Sequence, residues 1–151
     1  MGSEVIKDVI ITPLKQISDE RGSVLHFLKA NSPNFLNFGE AYFSKINAGL
    51  VKGWKLHFLA HQNFCVPYGA VKLVVFDSRK GSDSEGLIQE IIVDNSSNFK
   101  LVSLPPNLYY SFQCLSKDYS ILANISSEIH DPRESIVLPL DNDLIEYKWQ
   151  E

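Results

Sequence analysis

The sequence predicts an all-β barrel. Short runs rich in Val, Ile, Phe and Tyr recur at near-regular spacing, and turn residues separate them. The apolar positions show no sustained 3.6-residue period, so only short helices are expected. With 151 residues, the chain has the usual size of one domain and can bury a sizeable core.

The expected strands run in order. Val5 to Thr12 is rich in Val and Ile and stops at Pro13. Ser23 to Leu28 follows the turn Asp19-Glu20-Arg21-Gly22. Glu40 to Ile46 alternates apolar and polar residues, and Asn63 to Val66 leads into the turn Pro67-Tyr68-Gly69. Ala70 to Asp77 is an apolar run, followed by the polar loop SRKGSDSEG. Leu87 to Val93, Lys100 to Leu104, Tyr109 to Cys114 and Ser120 to Ile125 complete the series. Ile17 to Asn31 is the one stretch that reads as partly helical. The polar tail from His130 reads as a lid, an edge strand or a short terminal helix. No repeat or linker divides the chain, so residues 1–151 read as a single domain.

Composition excludes several functions. The formal net charge is −4 and Lys and Arg are not clustered, which argues against a nucleic-acid surface. No apolar run reaches bilayer-spanning length, so no membrane partner is expected. The start, MGSEVIKDVIITPL, lacks the pattern of a secretory signal. Cys65 and Cys114 read as buried thiols of a cytoplasmic protein rather than a disulfide.

Chemistry concentrates between Gly49 and Gly69. Cupins carry Gly, five residues, His-x-His, three or four residues, Glu, six residues, Gly. Here Gly49, His57 and Gly69 stand at those places, while Lys55 replaces the first His and Gln62 the Glu. In the second cupin motif Pro105 fits, Asn107 replaces a turn Gly, Tyr110 the His and Cys114 the Asn. The fold expectation is therefore a cupin-type jelly-roll barrel that has lost three of four metal ligands. A protonated Lys cannot ligate, Gln is a poor ligand and Tyr an uncommon one, so neither a metal nor another cofactor is expected. The pair His57 and His61 has zincin-like spacing, but the surroundings read as strand and turn. His61 then reads either as a turn residue or as a substrate contact. His26 and His130 read as structural or exposed.

Within the cupins, the sequence resembles the dTDP-4-dehydrorhamnose 3,5-epimerases and the dTDP-sugar 3,4-ketoisomerases over nearly its whole length. Asp19-Glu20-Arg21-Gly22 is similar to the epimerases' D-x-R-G turn. Leu56-His57-Phe58 is similar to their L-H-F. Leu104-Pro105-Pro106, Phe112 and Leu115-Ser116 follow their second motif, and Trp149 their closing tryptophan. Lys52 to His57, then Gln62, keeps the spacing of the ketoisomerase R-G-x-H-A-H and its later Gln. The epimerase Arg before L-H-F is Trp54 here, and the epimerase acid falls near Ala123. The chain fits neither subfamily fully, which leaves an epimerase, an isomerase or a member without catalysis.

The resemblance implies proton abstraction beside the ketone of a nucleotide-linked 4-keto-6-deoxyhexose, without a metal, in surface-polysaccharide (O-antigen) synthesis. His57 suits the base, since an unperturbed imidazole titrates near neutrality. Lys55, two residues away on one strand face, suits the enolate and favours a neutral imidazole by repulsion. Tyr110 or Tyr42 suits the acid, although Tyr110 also reads as a core residue. Asp141 or Asp143 is the expected carboxylate behind the imidazole. Arg21 and Lys52 suit the phosphates, with a turn ion pair to Asp19 as the other reading of Arg21. Tyr42, His61 and Gln62 complete the expected substrate contacts. Trp54 reads as core. The resemblance also implies a homodimer in which Val5 to Thr12 serves as a swapped or edge strand.

Overall fold

A computed structural model describes residues 4–149. Twelve strands occur among them: β1 (Ile10–Pro13), β2 (Gln16–Asp19), β3 (Gly22–Leu25), β4 (Glu40–Asn47), β5 (Val51–His57), β6 (Gln62–Tyr68), β7 (Ala70–Phe76), β8 (Ile88–Asp94), β9 (Lys100–Leu104), β10 (Tyr109–Cys114), β11 (Tyr119–Ser126) and β12 (Ser135–Val137). The helical content of the described residues is one 3₁₀ turn, Pro132–Glu134.

The strands form two five-stranded sheets and a hairpin. Sheet I runs β1-β9-β6-β11-β4, sheet II runs β12-β5-β10-β7-β8, and β2 pairs with β3. Every pairing is antiparallel. Consecutive strands such as β4 and β5, or β6 and β7, sit in opposite sheets, as a jelly roll requires. The turns between them use left-handed residues: Gly49 (φ 73°) links β4 to β5, and Asn107 (φ 71°) fills the position where the cupin motif has Gly.

The apolar run of β7 is buried on both faces. Val71, Leu73 and Val75 join Phe64, Val102, Tyr110 and Leu122 between the sheets, whereas Val74 and Phe76 join Trp54, Leu56, Tyr109 and Ile145 outside sheet II. The tail provides that outer cover. Beyond the 3₁₀ turn it adds β12 to the edge of sheet II beside β5, and Ile145, Tyr147 and Trp149 then pack over Trp54. On sheet I, Leu14, Leu25 and Phe27 cover Cys65, Phe99 and Ala123. Both cysteines are buried and free, and burial pushes the Cys65 thiol up to about 12.

Two sequence expectations are corrected. Ile17 to Asn31 contains no helix: the β2–β3 hairpin occupies its first half. Ile17 and Val24 stay 48% and 58% exposed, so no buried stripe favours a helix. Val5 to Thr12 shortens to β1, an edge strand paired with β9 of its own chain. The loop after β7 is ordered by Asp77, whose buried carboxylate accepts hydrogen bonds from Arg79, Ser82 and Ser84.

Candidate active site

Two adjoining hollows lie between β4 of sheet I and β5 of sheet II. One, about 210 Å³, is bordered by Tyr42, Lys52, Lys55, Tyr110 and Phe112 among others. The other, about 200 Å³, is bordered by Glu40, Tyr42, Lys55, His57, His130 and Glu134 among others. Tyr42 and Lys55 border both.

The local sequence explains how β5 presents its polar side chains. Lys55 pairs with Tyr110 and Gly53 with Ser111, so Trp54 is an extra residue bulging between them. Its backbone pairs instead with Leu138 of the tail, and its fully buried indole lies on the outer face. Lys55 and His57 therefore share the inner face, and the bulge lets Lys52 border the same hollow.

His57 is held from both sides. Its Nδ1 donates to Glu134 Oε1 at 2.8 Å, and its Nε2 lies 3.2 Å from the Tyr110 hydroxyl. The Tyr110 ring stacks on the imidazole, with an interplanar angle of 14°. Glu134 is fixed in turn, because its Oε2 accepts the backbone N–H groups of Leu59 and Ala60, both at 2.9 Å. Burial opposes ionisation of Glu134, but the hydrogen bonds from His57, Ala60 and Leu59 outweigh it and lower its pKa. Burial lowers the pKa of His57; Glu134 pulls it up, and the charges of Lys55 and His130 push it down. The net result is a neutral imidazole, protonated on Nδ1, with a lone pair on Nε2. That state is a general base oriented by a carboxylate.

The orienting carboxylate is thus Glu134, not Asp141 or Asp143. It stands opposite His57 because β12 pairs with β5 in the register Ser135↔His57. A local signal for its setting exists in the sequence: Asp131 caps the 3₁₀ turn and Pro132 opens it, the signature of a helix start.

The other expected site residues divide. Lys55 borders both hollows and has no ion-pair partner among the described residues. Lys52 donates to Ser44 Oγ at 3.0 Å. Arg21 lies elsewhere: it is 83% exposed at the β2–β3 tip and pairs with Asp19. The turn ion pair is what the structure shows, because a two-residue turn sets Asp19 and Arg21 side by side. His61 borders a separate cleft with Asp8, Asn34 and Asn63. It closes the loop between β5 and β6, one residue before β6 begins. Gln62 is fully buried, and its Oε1 accepts a hydrogen bond from Asn124. Asn124 also donates to the Tyr42 hydroxyl at 2.9 Å. Asn124, Glu134 and His130 were not expected from the sequence as site residues.

The four cupin ligand positions, His57, Lys55, Gln62 and Tyr110, do not fit a divalent metal. Among the described residues no group of three or more His, Cys, Asp or Glu side chains is gathered. Among the same residues no helix is long and apolar enough to cross a membrane.

Known proteins resemble this chain over most of its length. The family model of dTDP-4-dehydrorhamnose 3,5-epimerase matches residues 3–151. A dTDP sugar isomerase from Desulfovibrio desulfuricans is 34% identical, with 95% of this chain and 92% of that one aligned and a TM-score of 0.93. The RmlC epimerase of Legionella pneumophila, solved with dTDP-4-keto-L-rhamnose, shares the fold at 20% identity, with a TM-score of 0.84 over 98% of this chain and 81% of that one. The spore coat polysaccharide biosynthesis protein SpsL of Bacillus subtilis (strain 168) is 21% identical over 147 residues, 96% of this chain and 97% of that one. With a barrel of the same architecture and a match over nearly its whole length, this chain belongs to the dTDP-4-dehydrorhamnose 3,5-epimerase family.

Proposed function

We propose that this protein is an epimerase or ketoisomerase that removes a proton beside the ketone of a nucleotide-linked 4-keto-6-deoxyhexose. The observation that carries this reading is the His57–Glu134 pair, set between the sheets with Lys55 and Tyr42 alongside. A proton on C3 or C5 of such a sugar is acidic because the resulting charge spreads onto O4. Neutral His57 takes that proton at Nε2, and Glu134 stabilises the imidazolium that forms. The Lys55 ammonium meets the charge growing on O4, a contact that strengthens as the enolate forms. Lys52, at the rim, offers a point charge to the diphosphate. The setting is cytoplasmic surface-polysaccharide synthesis, such as O-antigen assembly; the name of the Bacillus relative supports that class of pathway. A homodimer agrees with an edge strand β1 whose outer side has no partner strand among the described residues.

A second reading is a domain that binds sugar nucleotides without turnover. One observation favours it: Ala123, near the place of the family's acid, packs outside sheet I with Cys65 and Phe99. The test is incubation with dTDP-4-keto-6-deoxyglucose, followed by NMR and by calorimetric titration. A new sugar isomer supports the first reading. Binding without a new isomer supports the second, and neither binding nor turnover contradicts both.

A further inference from the structure

The site has a base, but the place of the family's acid falls near Ala123, which packs outside sheet I with Cys65 and Phe99. A proton donor must come from elsewhere. Two tyrosine hydroxyls border the hollows, and they stand in different places. That of Tyr110 lies against His57 Nε2, on the base's own side, with its ring stacked on the imidazole. A proton held there returns to the base. Tyr42 belongs to β4, on the opposite sheet, and borders both hollows.

The hydrogen bonding of Tyr42 has a direction. Its oxygen accepts from Asn124 Nδ2 at 2.9 Å. Among the described residues no acceptor takes its own hydrogen. The Asn124 amide is itself locked, since the same nitrogen donates to Gln62 Oε1 and its Oδ1 accepts from the Asn63 backbone N–H at 3.2 Å. Asn124 and Gln62 are 1% and 2% exposed. Buried amides are costly unless they are bonded, and their networks fix geometry: here both ends of the Asn124 amide are bonded, while Gln62 engages through its Oε1 alone, its Nε2 having no partner among the described residues. This one ends on the Tyr42 oxygen and leaves the hydroxyl hydrogen free for the cavity.

Resting on the reading of the protein as a 4-keto sugar epimerase, we infer that Tyr42 is its proton donor, with Asn124 and Gln62 as positioning residues. His57 Nε2 removes the proton from one face of the sugar, and the C–H electrons move into the enolate with its charge on O4. As the ketone re-forms, the same carbon takes the Tyr42 proton on the other face, so that its configuration inverts. Tyrosinate then regains a proton from solvent, and the imidazolium loses one to solvent. Burial raises the pKa of Tyr42 against the effect of the Asn124 hydrogen bond, and Glu40 and Glu134 raise it further, which keeps the phenol protonated until it acts.

The test is Tyr42→Phe with dTDP-4-keto-6-deoxyglucose in heavy water, with a melting curve to show that the fold is intact. Without the donor, the enolate can be reprotonated only from the His57 side. Deuterium is expected to enter the recovered substrate at a rate within about tenfold of wild type, while the inverted product falls by about 100-fold or more. Gln62→Leu is expected to show the same split more weakly, about tenfold in kcat with KM unchanged, because it loosens the donor without touching the base. Inversion by Tyr42→Phe at the wild-type rate overturns the inference. So does loss of exchange together with inversion, which would mark Tyr42 as a structural or binding residue. A wild-type product that keeps its configuration overturns it too, while leaving the broader reading as a ketoisomerase intact. A wild-type protein that exchanges no deuterium removes the functional reading itself.

Discussion

His57 and Glu134 lie 77 positions apart in sequence and are joined by a 2.8 Å hydrogen bond from Nδ1 to Oε1. Both side chains are 10% exposed. The bond selects the imidazole tautomer that carries its lone pair on Nε2, where the Tyr110 hydroxyl lies at 3.2 Å, and the carboxylate comes from the tail, just before β12. The chemistry of one strand thus depends on the docking of a segment from the far end of the chain.

Glu134→Gln removes the charge but preserves the shape. The amide can turn its NH₂ toward His57 and favour the wrong tautomer, and it no longer stabilises an imidazolium. The rate constant kcat is expected to fall by roughly 10²- to 10⁴-fold, with little change in KM. Steady-state kinetics check this. A loss under threefold would show that the carboxylate does not orient a base.

The pH profile follows from His57. Its pKa lies below the ordinary imidazole value because burial outweighs the pull of Glu134. Activity is therefore expected to persist below about pH 6.5 before the base is protonated. Stability runs in the same direction. A histidine whose folded pKa is depressed binds more protons when unfolded, so folding loses stability as pH falls from the unfolded value through the folded one. Glu134, also depressed, adds a further loss at more acidic pH, below the ordinary carboxylate value. Kinetics and thermal melts between pH 4 and 8 test both. A limb above pH 7 would contradict a desolvated His57.

Lys55→Met keeps the aliphatic stem and removes the cation. Loss of the enolate's counter-charge is expected to lower kcat by about 10²-fold or more. Lys55 also pushes the His57 pKa down. Removing it should move the acid limb of the profile to higher pH. A drop in rate without that displacement would place Lys55 away from the imidazole.

Trp149→Ala probes the tail. The indole packs with Trp54 and Tyr147 at centroid distances of 6.0 and 4.8 Å. Its removal is expected to cost about 1–3 kcal/mol, from lost burial and aromatic contact. Chemical denaturation measures this. If β12 is loosened as well, Glu134→Gln made in this background should cost less activity than in the wild type.

Much of the barrel was legible in the sequence. Ala70 to Asp77 and Tyr109 to Cys114 match β7 and β10 almost residue for residue, because their apolar runs reflect burial on both faces. His57 and Lys55 could be placed on one face because a strand period of two is local. Glu134 could not be placed, since the pairing of β12 with β5 is a non-local register that no short pattern encodes. The sequence pointed to a carboxylate of the tail, and the 3₁₀ turn before β12 decided which one. Gln62 read as a substrate contact because of its motif position. In the fold, β6 buries it behind the site, where its visible work is on Asn124. Arg21 kept its turn, but the hairpin carries it away from His57 in this chain.

The most direct measurement of the central claim is deuterium uptake into a dTDP-linked 4-keto-6-deoxyhexose by wild-type protein and by His57→Ala. The account expects wild type to label C3 or C5, and the variant, still folded and still binding the nucleotide, to label neither above the buffer rate. Equal labelling by the two proteins would contradict it, because the proton would then be leaving by a route that does not pass through His57.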